Sequence, residues 1–370
     1  MKIVSLKFKD GEQGLQSEEI FFNEDLTLLV GASGVGKTQI LNALMKLRVI
    51  LISDKSFNGF EWEINLSDDQ NNEYIWQGKF KEAKASAVYN NNKFDDNLLP
   101  FVSGIDSEEV FYNGSCISSL FGGMIEYQGK KNSELKVTGS LLKQFNNGKQ
   151  DNIVSALLTI TNSVSPQMPV IFPPFSISIG RRRLEKDDNL TSVEFGTLNF
   201  LYNLFKKSKQ EFEKIRNIFS EIFPTVSNIE FREFNKGENI VLFIKDSGNW
   251  VDETNISSGM LRTLTHLTEI FHAPKGSIIL IDEFENGLGI NCIGAITEEL
   301  VDSERDLQFI ITSHHPYIIN NIPYENWLVV SRDGNTIKTH TAKELRFDES
   351  KHKNFTQLIN SDIYNTGTAQ

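Results

Sequence analysis

Cysteine, long apolar runs and targeting signals are what this sequence most clearly lacks. It has two cysteines in 370 residues, Cys116 and Cys292, and their wide separation predicts neither a disulfide framework nor a zinc site. No stretch approaches the roughly 18 consecutive apolar residues that a membrane-spanning helix requires. The first residues alternate polar and apolar side chains, which favours a strand over a signal peptide. We therefore expect a cytoplasmic protein with no membrane partner.

Positive charge is also in deficit. The chain has 37 lysines and arginines against 49 aspartates and glutamates, a formal net charge of -12. Because nucleic acid is bound largely through basic side chains on its phosphates, binding over the whole surface is not expected. Two short basic stretches, 181–183 and 206–209, leave local DNA contact open, although such runs are usually solvated faces. The apolar content of 39% is sufficient for a large buried core.

A glycine-rich segment carries the strongest signal. Residues 31–38 read GASGVGKT and fit the pattern G-x-x-x-x-G-K-[ST]. An apolar run at 26–30 predicts a buried strand before it, and apolar residues at helical spacing predict a helix from about Lys37. Glycines let the loop turn its N–H groups toward phosphate oxygens, while Lys37 adds a charge and Thr38 a hydroxyl for Mg²⁺. The predicted ATP-binding residues are Gly31, Ala32, Ser33, Gly34, Val35, Gly36, Lys37, Thr38 and Gln39.

An acidic pair follows a second apolar run. Residues 278–281 predict a buried strand, and Asp282 and Glu283 stand at its carboxyl end. Ligands of open α/β sheets bind at that end of the strands. We expect Asp282 to hold Mg²⁺ through its water shell and Glu283 to act as the general base on the attacking water.

Two weaker motifs accompany these. Ser257, Ser258 and Gly259 open a predicted helix, whose start is either a phosphate site or simply a good N-cap. His314 comes directly after a predicted strand at 309–312. Its imidazole is either a sensor of the γ-phosphate or a structural histidine.

The order of these motifs (phosphate loop, serine–glycine motif, acidic pair, histidine) resembles the ABC-class ATPases. That class includes SMC, RecF-like and OLD proteins and the ATPases of bacterial antiphage systems. Segment 218–224, followed by two predicted strands and the serine–glycine motif, is most similar to the Septu and PARIS ATPases. The resemblance implies hydrolysis of ATP to ADP and phosphate, with ATP and Mg²⁺ as cofactors, in a homo-oligomer that is at least an ATP-sandwiched dimer.

The same resemblance implies individual roles. Ser257 and Gly259 would close on the γ-phosphate held by the partner subunit, and His314 would be the switch histidine. Segment 285–289 is similar to the loop that contacts the other protomer. Ser258 and Met260 stand where transporters carry glycine and glutamine. Gln128 is a candidate for the glutamine lid only by elimination.

The fold class implied is α/β, a P-loop NTPase of the ABC-ATPase type. It has a mixed sheet with helices, an antiparallel β subdomain that includes a hairpin at 60–90, and a helical insert. We expect one discontinuous domain with a core at about 1–95 and 224–345. Residues 96–223 form an inserted, mostly helical, regulatory region, in which 192–223 is one long helix or two. Residues 346–370 form a C-terminal tail.

Three functions are compatible with these features. The first is a sensor, switch or scaffold ATPase of an antiphage defence complex that controls a separate effector, a nuclease. In favour of this function, we expect neither a fused nuclease domain nor a long heptad arm. The second is a RecF-like repair ATPase that binds DNA directly. The third is the nucleotide-binding subunit of a transporter.

Overall fold

The computed structural model describes most of the chain. The described residues are 1–53, 55–82, 104–127, 129–132, 139–144, 153–154, 157, 161–162, 197–234, 239–301, 306–347 and 351–368. Among them, no helix is both long and apolar enough to cross a membrane.

The first third of the chain is mostly strands, and helices alternate with strands in the last third. The helices are α1 (Lys37–Ile52), α2 (Leu141–Gln144), α3 (Thr197–Lys207), α4 (Lys209–Ile222), α5 (Ser258–His272), α6 (Ile290–Val301), α7 (Pro316–Asn321), α8 (Lys351–Asn360) and α9 (Asp362–Thr366). The strands up to the insert are β1 (Lys2–Asp10), β2 (Leu15–Ser17), β3 (Ile20–Phe21), β4 (Leu26–Val30), β5 (Glu61–Ser67) and β6 (Glu73–Phe80). The remaining strands are β7 (Ile105–Tyr112), β8 (Ser115–Phe121), β9 (Met124–Tyr127), β10 (Lys130–Asn132), β11 (Thr161–Asn162), β12 (Val226–Phe234), β13 (Asn239–Asp246), β14 (Asn249–Asp252), β15 (Ser277–Ile281), β16 (Leu307–Thr312), β17 (Trp327–Asp333) and β18 (Thr336–Thr341).

A single mixed sheet joins fifteen of the described strands, as the implied fold class requires. Its parallel part runs in the order β17-β4-β16-β15-β11. Every residue of β4, β15 and β16 is buried, because layers of side chains cover both faces of this part of the sheet. Since these strands are parallel, their carboxyl ends lie at one edge, and the residues that follow them come together there.

Two apolar layers cover the parallel strands. Ile279 and Ile281 of β15 face a layer that includes α4 and α5, whereas Ile278 and Leu280 face a layer built around α1 and the antiparallel strands. The alternation follows from strand geometry, in which successive side chains point to opposite faces. The result is a sheet with packed layers on both faces, which fixes the strand ends rigidly.

The antiparallel arm of the sheet is longer than the sequence indicated. The predicted hairpin at 60–90 is present as β5 and β6. The interpretation of 96–223 as mostly helical is wrong over 105–132, where β7 to β10 extend the sheet edge in a meander. Asn113-Gly114 forms the turn between β7 and β8, and both residues have positive φ. An Asn-Gly pair between short strands is a hairpin signal.

One buried amide joins the antiparallel arm to the parallel strands. Gln308 of β16 accepts a hydrogen bond from Ile3 N at 2.8 Å and donates to Ile3 O at 2.8 Å. It also donates to Asn23 O at 2.9 Å. The Gln308 amide therefore satisfies both main-chain groups of Ile3, as a neighbouring strand would. It thereby holds β1 against the core.

The described end of the insert, residues 197–223, is helical. The region predicted as one long helix or two, 192–223, contains two helices, because the helical conformation is interrupted at Ser208 between α3 and α4. Helix α4 ends just before Pro224, as expected for a residue that disfavours helix before it. A separate three-stranded sheet, β12-β13-β14, follows and packs its apolar face on the same layer. This sheet leads directly into α5 and so positions its first residues.

The C-terminal segment is not a detached tail. Helices α8 and α9 follow β18, and Leu358 and Ile363 are buried in the layer that contains α5 and α7.

Candidate nucleotide site

The phosphate loop, residues 31–38, links β4 to α1 at the edge where the parallel strands end. Gly31, Gly34 and Gly36 have φ values of 148°, 82° and 116°, a region that favours glycine. A Cβ on Gly31 would lie 2.4 Å from the backbone oxygen of Val330. The curl of the loop therefore favours glycine at all three positions, and the close approach to β17 requires it at Gly31.

The loop fits an anionic phosphate chain. The N-cap of α1 is Gly36, which has no side chain to cap the helix. The N–H groups of the first turn are therefore available to an anion, and the helix dipole favours negative charge at the same place. Successive positive-φ glycines turn further backbone amides inward, so the cradle suits a nucleoside triphosphate.

Lys37 is held against its own loop. Its side chain is 7% exposed, and Nζ donates to Gly31 O at 2.9 Å and to Ala32 O at 2.8 Å. Burial lowers the pKa of Lys37 to about 8, opposed by the negative charges of Asp282, Glu285 and Glu283. A phosphate group would replace the two carbonyls as the acceptor and favour the charged form.

Thr38 and Asp282 meet across the sheet edge. The Thr38 hydroxyl lies 3.0 Å from Asp282 Oδ2, although β16 separates their two strands. Asp282 is 8% exposed. Mg²⁺ in nucleotide sites is typically bound through one or two carboxylates together with substrate phosphates. The pair of a hydroxyl and a carboxylate therefore fits this ion.

Thr312, at the end of β16, orients both acidic residues. Its hydroxyl donates to Asp282 Oδ1 at 2.7 Å and accepts from Glu283 N at 2.8 Å. Glu283 has a φ of 49°, which is strained for a residue with a side chain, and its side chain is exposed. Asn286 Nδ2 donates to Glu283 Oε2 at 3.3 Å. The backbone turn at Glu283 thus directs its carboxylate out of the sheet edge.

The two neighbouring histidines have different surroundings. His315 Nδ1 accepts from Tyr317 N at 3.2 Å and caps α7, which is a structural role. His314 lies close enough to Lys37, Glu285, Glu283 and Asp282 to feel their charges. Burial, followed by the charge of Lys37, lowers its pKa. Its imidazole is therefore neutral at physiological pH and able to donate or accept a hydrogen bond.

Ser257, Ser258 and Gly259 lie elsewhere. Ser257 is the N-cap of α5, and its Oγ accepts from Met260 N at 3.3 Å. A Cβ on Gly259 would lie 3.5 Å from Gly287 O, so this helix start packs on the segment that follows the acidic pair. Within the described residues, no hydrogen bond joins it to the phosphate loop.

The structure thus brings together the phosphate loop, Asp282, Glu283 and His314, but not the serine–glycine motif. Two contacts at the site were not predicted from the sequence. Thr312 hydrogen-bonds both acidic residues, and Glu285, which the sequence placed only in segment 285–289, accepts from His314 N at 2.7 Å through Oε1. For Thr312, the available signal was a threonine at the last position of a strand, two residues before the histidine. Gln128 and the basic stretch 181–183 lie outside the described residues.

Known proteins share the fold, and a family model matches part of the sequence. A family model described as "AAA domain, putative AbiEii toxin, Type IV TA system" matches residues 172–320, which include the serine–glycine motif, the acidic pair and His314. No curated protein matches the sequence. An SMC head crystallised with the C-winged helix domain of ScpA superposes with a TM-score of 0.55 at 14% identity, covering 92% of this chain and 98% of that chain. The chain has the fold of an SMC head.

A second solved structure agrees on this SMC-head fold. The Smc head domain with an extended coiled coil, bound to the C-terminal domain of ScpA derived from Pyrococcus furiosus, has a TM-score of 0.51 at 14% identity. The alignment covers 92% of this chain and 96% of that chain. The expected α/β fold of a P-loop NTPase of the ABC type is therefore confirmed, with the phosphate loop and the acidic strand end at the same edge of its sheet.

Proposed function

We propose that the chain is an ABC-class ATPase that binds ATP and Mg²⁺ at residues 31–38 and hydrolyses the ATP when two copies close on each other. The observation that carries this proposal is the 3.0 Å contact between Thr38 Oγ1 and Asp282 Oδ2. It supports one site in which a phosphate cradle, a metal-binding pair and the carboxylate of Glu283 lie together. Separated motifs could not share a nucleotide.

Each residue has a distinct task in the proposed reaction. The loop amides and Lys37 bind the β- and γ-phosphates, and Thr38 and Asp282 hold Mg²⁺, which neutralises charge on the phosphates when bound. Glu283 orients the attacking water and accepts its proton. Thr312 keeps Glu283 and Asp282 in their relative positions, and neutral His314 hydrogen-bonds the γ-phosphate. The products are ADP and phosphate.

The second copy supplies the rest of the site. Because the Ser257 hydroxyl accepts from Met260 N, its hydrogen remains able to donate to a phosphate. The start of α5 adds backbone N–H groups and the positive end of a helix dipole. We infer that Ser257 and Gly259 of one copy meet the γ-phosphate bound by the other, as the resemblance to ABC ATPases implies.

We further propose that the output of this ATPase lies in a separate protein, a nuclease effector of an antiphage defence system. The description of the matched family names a toxin of a type IV toxin–antitoxin system, which accords with a two-component arrangement. The two SMC heads of similar fold were crystallised with a domain of another protein, ScpA. A net charge of -12 favours a protein partner over direct DNA binding as in RecF-like ATPases.

The catalytic assignment is tested by Glu283→Gln, with Glu298→Gln, an exposed glutamate on α6, as the matched control. Glu283→Gln should bind ATP normally, lose at least about 100-fold in kcat and accumulate as an ATP-bound dimer in size-exclusion chromatography with light scattering. Normal turnover by Glu283→Gln would refute the assignment. Lys37→Ala should lose nucleotide binding, and unchanged binding would refute the phosphate site.

Sharing of the site between copies is tested by mixing two inactive variants. Ser257→Asp preserves the N-cap but places a negative charge against the γ-phosphate. A mixed dimer with Lys37→Ala contains one composite site with both an intact loop and an intact Ser257. An equal mixture should therefore recover about a quarter of the wild-type rate, since half the dimers are mixed and each has one good site of two. No recovery would contradict a site completed in trans.

The choice of partner is tested separately. The two nucleotide states to compare are Glu283→Gln with ATP and wild type with ADP. The protein encoded beside this chain should co-elute with the chain in one of these states and not in the other. Binding of duplex DNA by the chain alone, with an affinity that falls steeply with salt, would favour the RecF-like alternative instead. Co-purification with an integral membrane protein would favour a transporter subunit.

A further inference from the structure

The last described helix of the chain reaches the phosphate loop. Helix α9 ends at Gly367, which has a φ of 73° and forms the left-handed C-cap. Ile363 anchors the helix in the apolar layer beside β17. Arg332 N, on β17, donates to Gly367 O at 2.6 Å and fixes the cap in place. The C-terminus of α9 is therefore tied to the strand that neighbours the loop.

Gly367 contacts side chains of the loop. A Cβ on this residue would lie 2.4 Å from Val35 Cγ1 and 3.5 Å from Ala32 Cβ. Val35 is 4% exposed, so its side chain has little room to move aside. The contact is with loop side chains, which leaves the loop amides to the phosphates. No residue other than glycine fits here without shifting the loop or the helix.

Helix α9 also lies near the other side of the site. Tyr364 is half-buried, and burial together with the charge of Glu285 raises the pKa of its hydroxyl. Glu285 in turn accepts from His314 N. One short helix thus touches the phosphate loop and approaches the segment that holds the histidine.

We propose that Gly367 is a positioning residue for nucleotide binding, because its close contact with Val35 and Ala32 holds the phosphate loop in its binding shape. This inference rests on the proposed ATP site. Gly367 does not touch the nucleotide; it acts through the loop. The alternative is that Gly367 merely ends a helix, in which case its replacement would affect stability alone.

A matched pair of glycine substitutions separates these two roles. Gly114, in the hairpin turn between β7 and β8, has a φ of 74°, and a Cβ there would meet nothing within 4 Å. Gly367→Ala and Gly114→Ala therefore impose the same backbone strain, but only the first pushes on the loop. Gly367→Ala should raise the Kd for ATP by about tenfold or more, since displacements near 1 Å have effects of that order, and Gly114→Ala should leave it within about twofold.

The contact with Val35 is tested by a double-mutant cycle. Val35→Ala removes the methyl group that a Cβ on residue 367 would meet. Gly367→Ala should therefore weaken ATP binding much less in the Val35→Ala background than in wild type. Equal effects in both backgrounds would show that the loop contact is not the cause.

Hydrogen exchange tests the same coupling without substitution. If α9 holds the loop, saturating ATP must slow exchange in residues 362–368 of the wild-type protein, since coupling between two sites is reciprocal. Unchanged exchange, or a Gly367→Ala variant that melts earlier yet binds ATP normally, would overturn the inference. Failure of wild type to bind ATP, or equal binding by Lys37→Ala, would instead overturn the proposed function.

Discussion

The buried ammonium group of Lys37 should make the proposed ATP binding sensitive to pH between about 7 and 9. A lysine in water is charged up to about pH 10, but burial lowers the pKa of Lys37 to about 8 in the nucleotide-free protein. Bound phosphates would favour the charged form and raise this pKa again. Binding above pH 8 therefore requires uptake of a proton, and the affinity for ATP falls as the pH rises.

The size of the effect follows from the protonated fraction. With a pKa of about 8, Lys37 is about nine-tenths charged at pH 7 and about one-tenth charged at pH 9. If only the charged form binds tightly, the Kd for ATP should rise about tenfold between these two values. The phosphates of ATP do not oppose this trend, since they are already ionised above pH 7. His314 does not contribute either, because its lowered pKa keeps it neutral throughout.

Isothermal titration at constant ionic strength measures this directly. The Kd is determined at pH 7, 8 and 9, and two buffers of different ionisation enthalpy report the proton uptake at pH 8.5. Lys37→Arg is the control, because a guanidinium stays charged over the whole range and its affinity should not depend on pH. An equal pH dependence in Lys37→Arg, or none in wild type, would refute the reasoning.

Three further substitutions test separate parts of the molecule. Thr312→Val should lower kcat by about 10- to 100-fold with little change in the Kd for ATP, because it removes the hydroxyl that orients both acidic residues. Thr312→Ser keeps this hydroxyl and should retain most of the wild-type rate. Gln308→Leu should lower the free energy of unfolding, measured in urea, by about 2–5 kcal/mol, because three main-chain groups lose their hydrogen-bond partner. The control is Gln16→Leu on the surface, which should change this free energy by less than about 0.5 kcal/mol. Gly31→Ala should abolish ATP binding in a chain that still folds by circular dichroism, because its Cβ would meet Val330 O at 2.4 Å; normal binding would show that the loop is not held by β17.

The parallel core could be predicted from the sequence because its strands are short apolar runs that end at glycine or acidic residues. Residues 26–30 are followed by glycine, and residues 278–281 are followed by two acidic residues. The sequence therefore indicates both the strand and the end at which the candidate site lies. The strands of 105–132 could not be recognised in this way. Their sequence is rich in serine and glutamate, and among the described residues of this segment only Val110, Leu120 and Ile125 are buried apolar side chains.

The site was predictable as a set of motifs but not as an arrangement. Motif spacing identifies the loop, the acidic pair and the histidine, because each follows its own strand directly. The role of Thr312 depends on β16 lying between β4 and β15, which is a fact of strand order and not of local sequence. The contact of Gly367 with Val35 joins residues more than 300 positions apart, and no local pattern reports it.

In the single chain, the binding half of the site is built and the catalytic half is open. Lys37 is buried and hydrogen-bonded to loop carbonyls, and Thr38 already contacts Asp282. The groups proposed to bind the phosphates and the metal are therefore in place. Glu283, by contrast, points into solvent from a strained backbone position. A carboxylate surrounded by water is a poor general base for one particular water molecule, because bulk solvent competes for its proton and its position. A second copy that covered Glu283 would remove this competition, and for this reason we expect binding by one chain and hydrolysis by two.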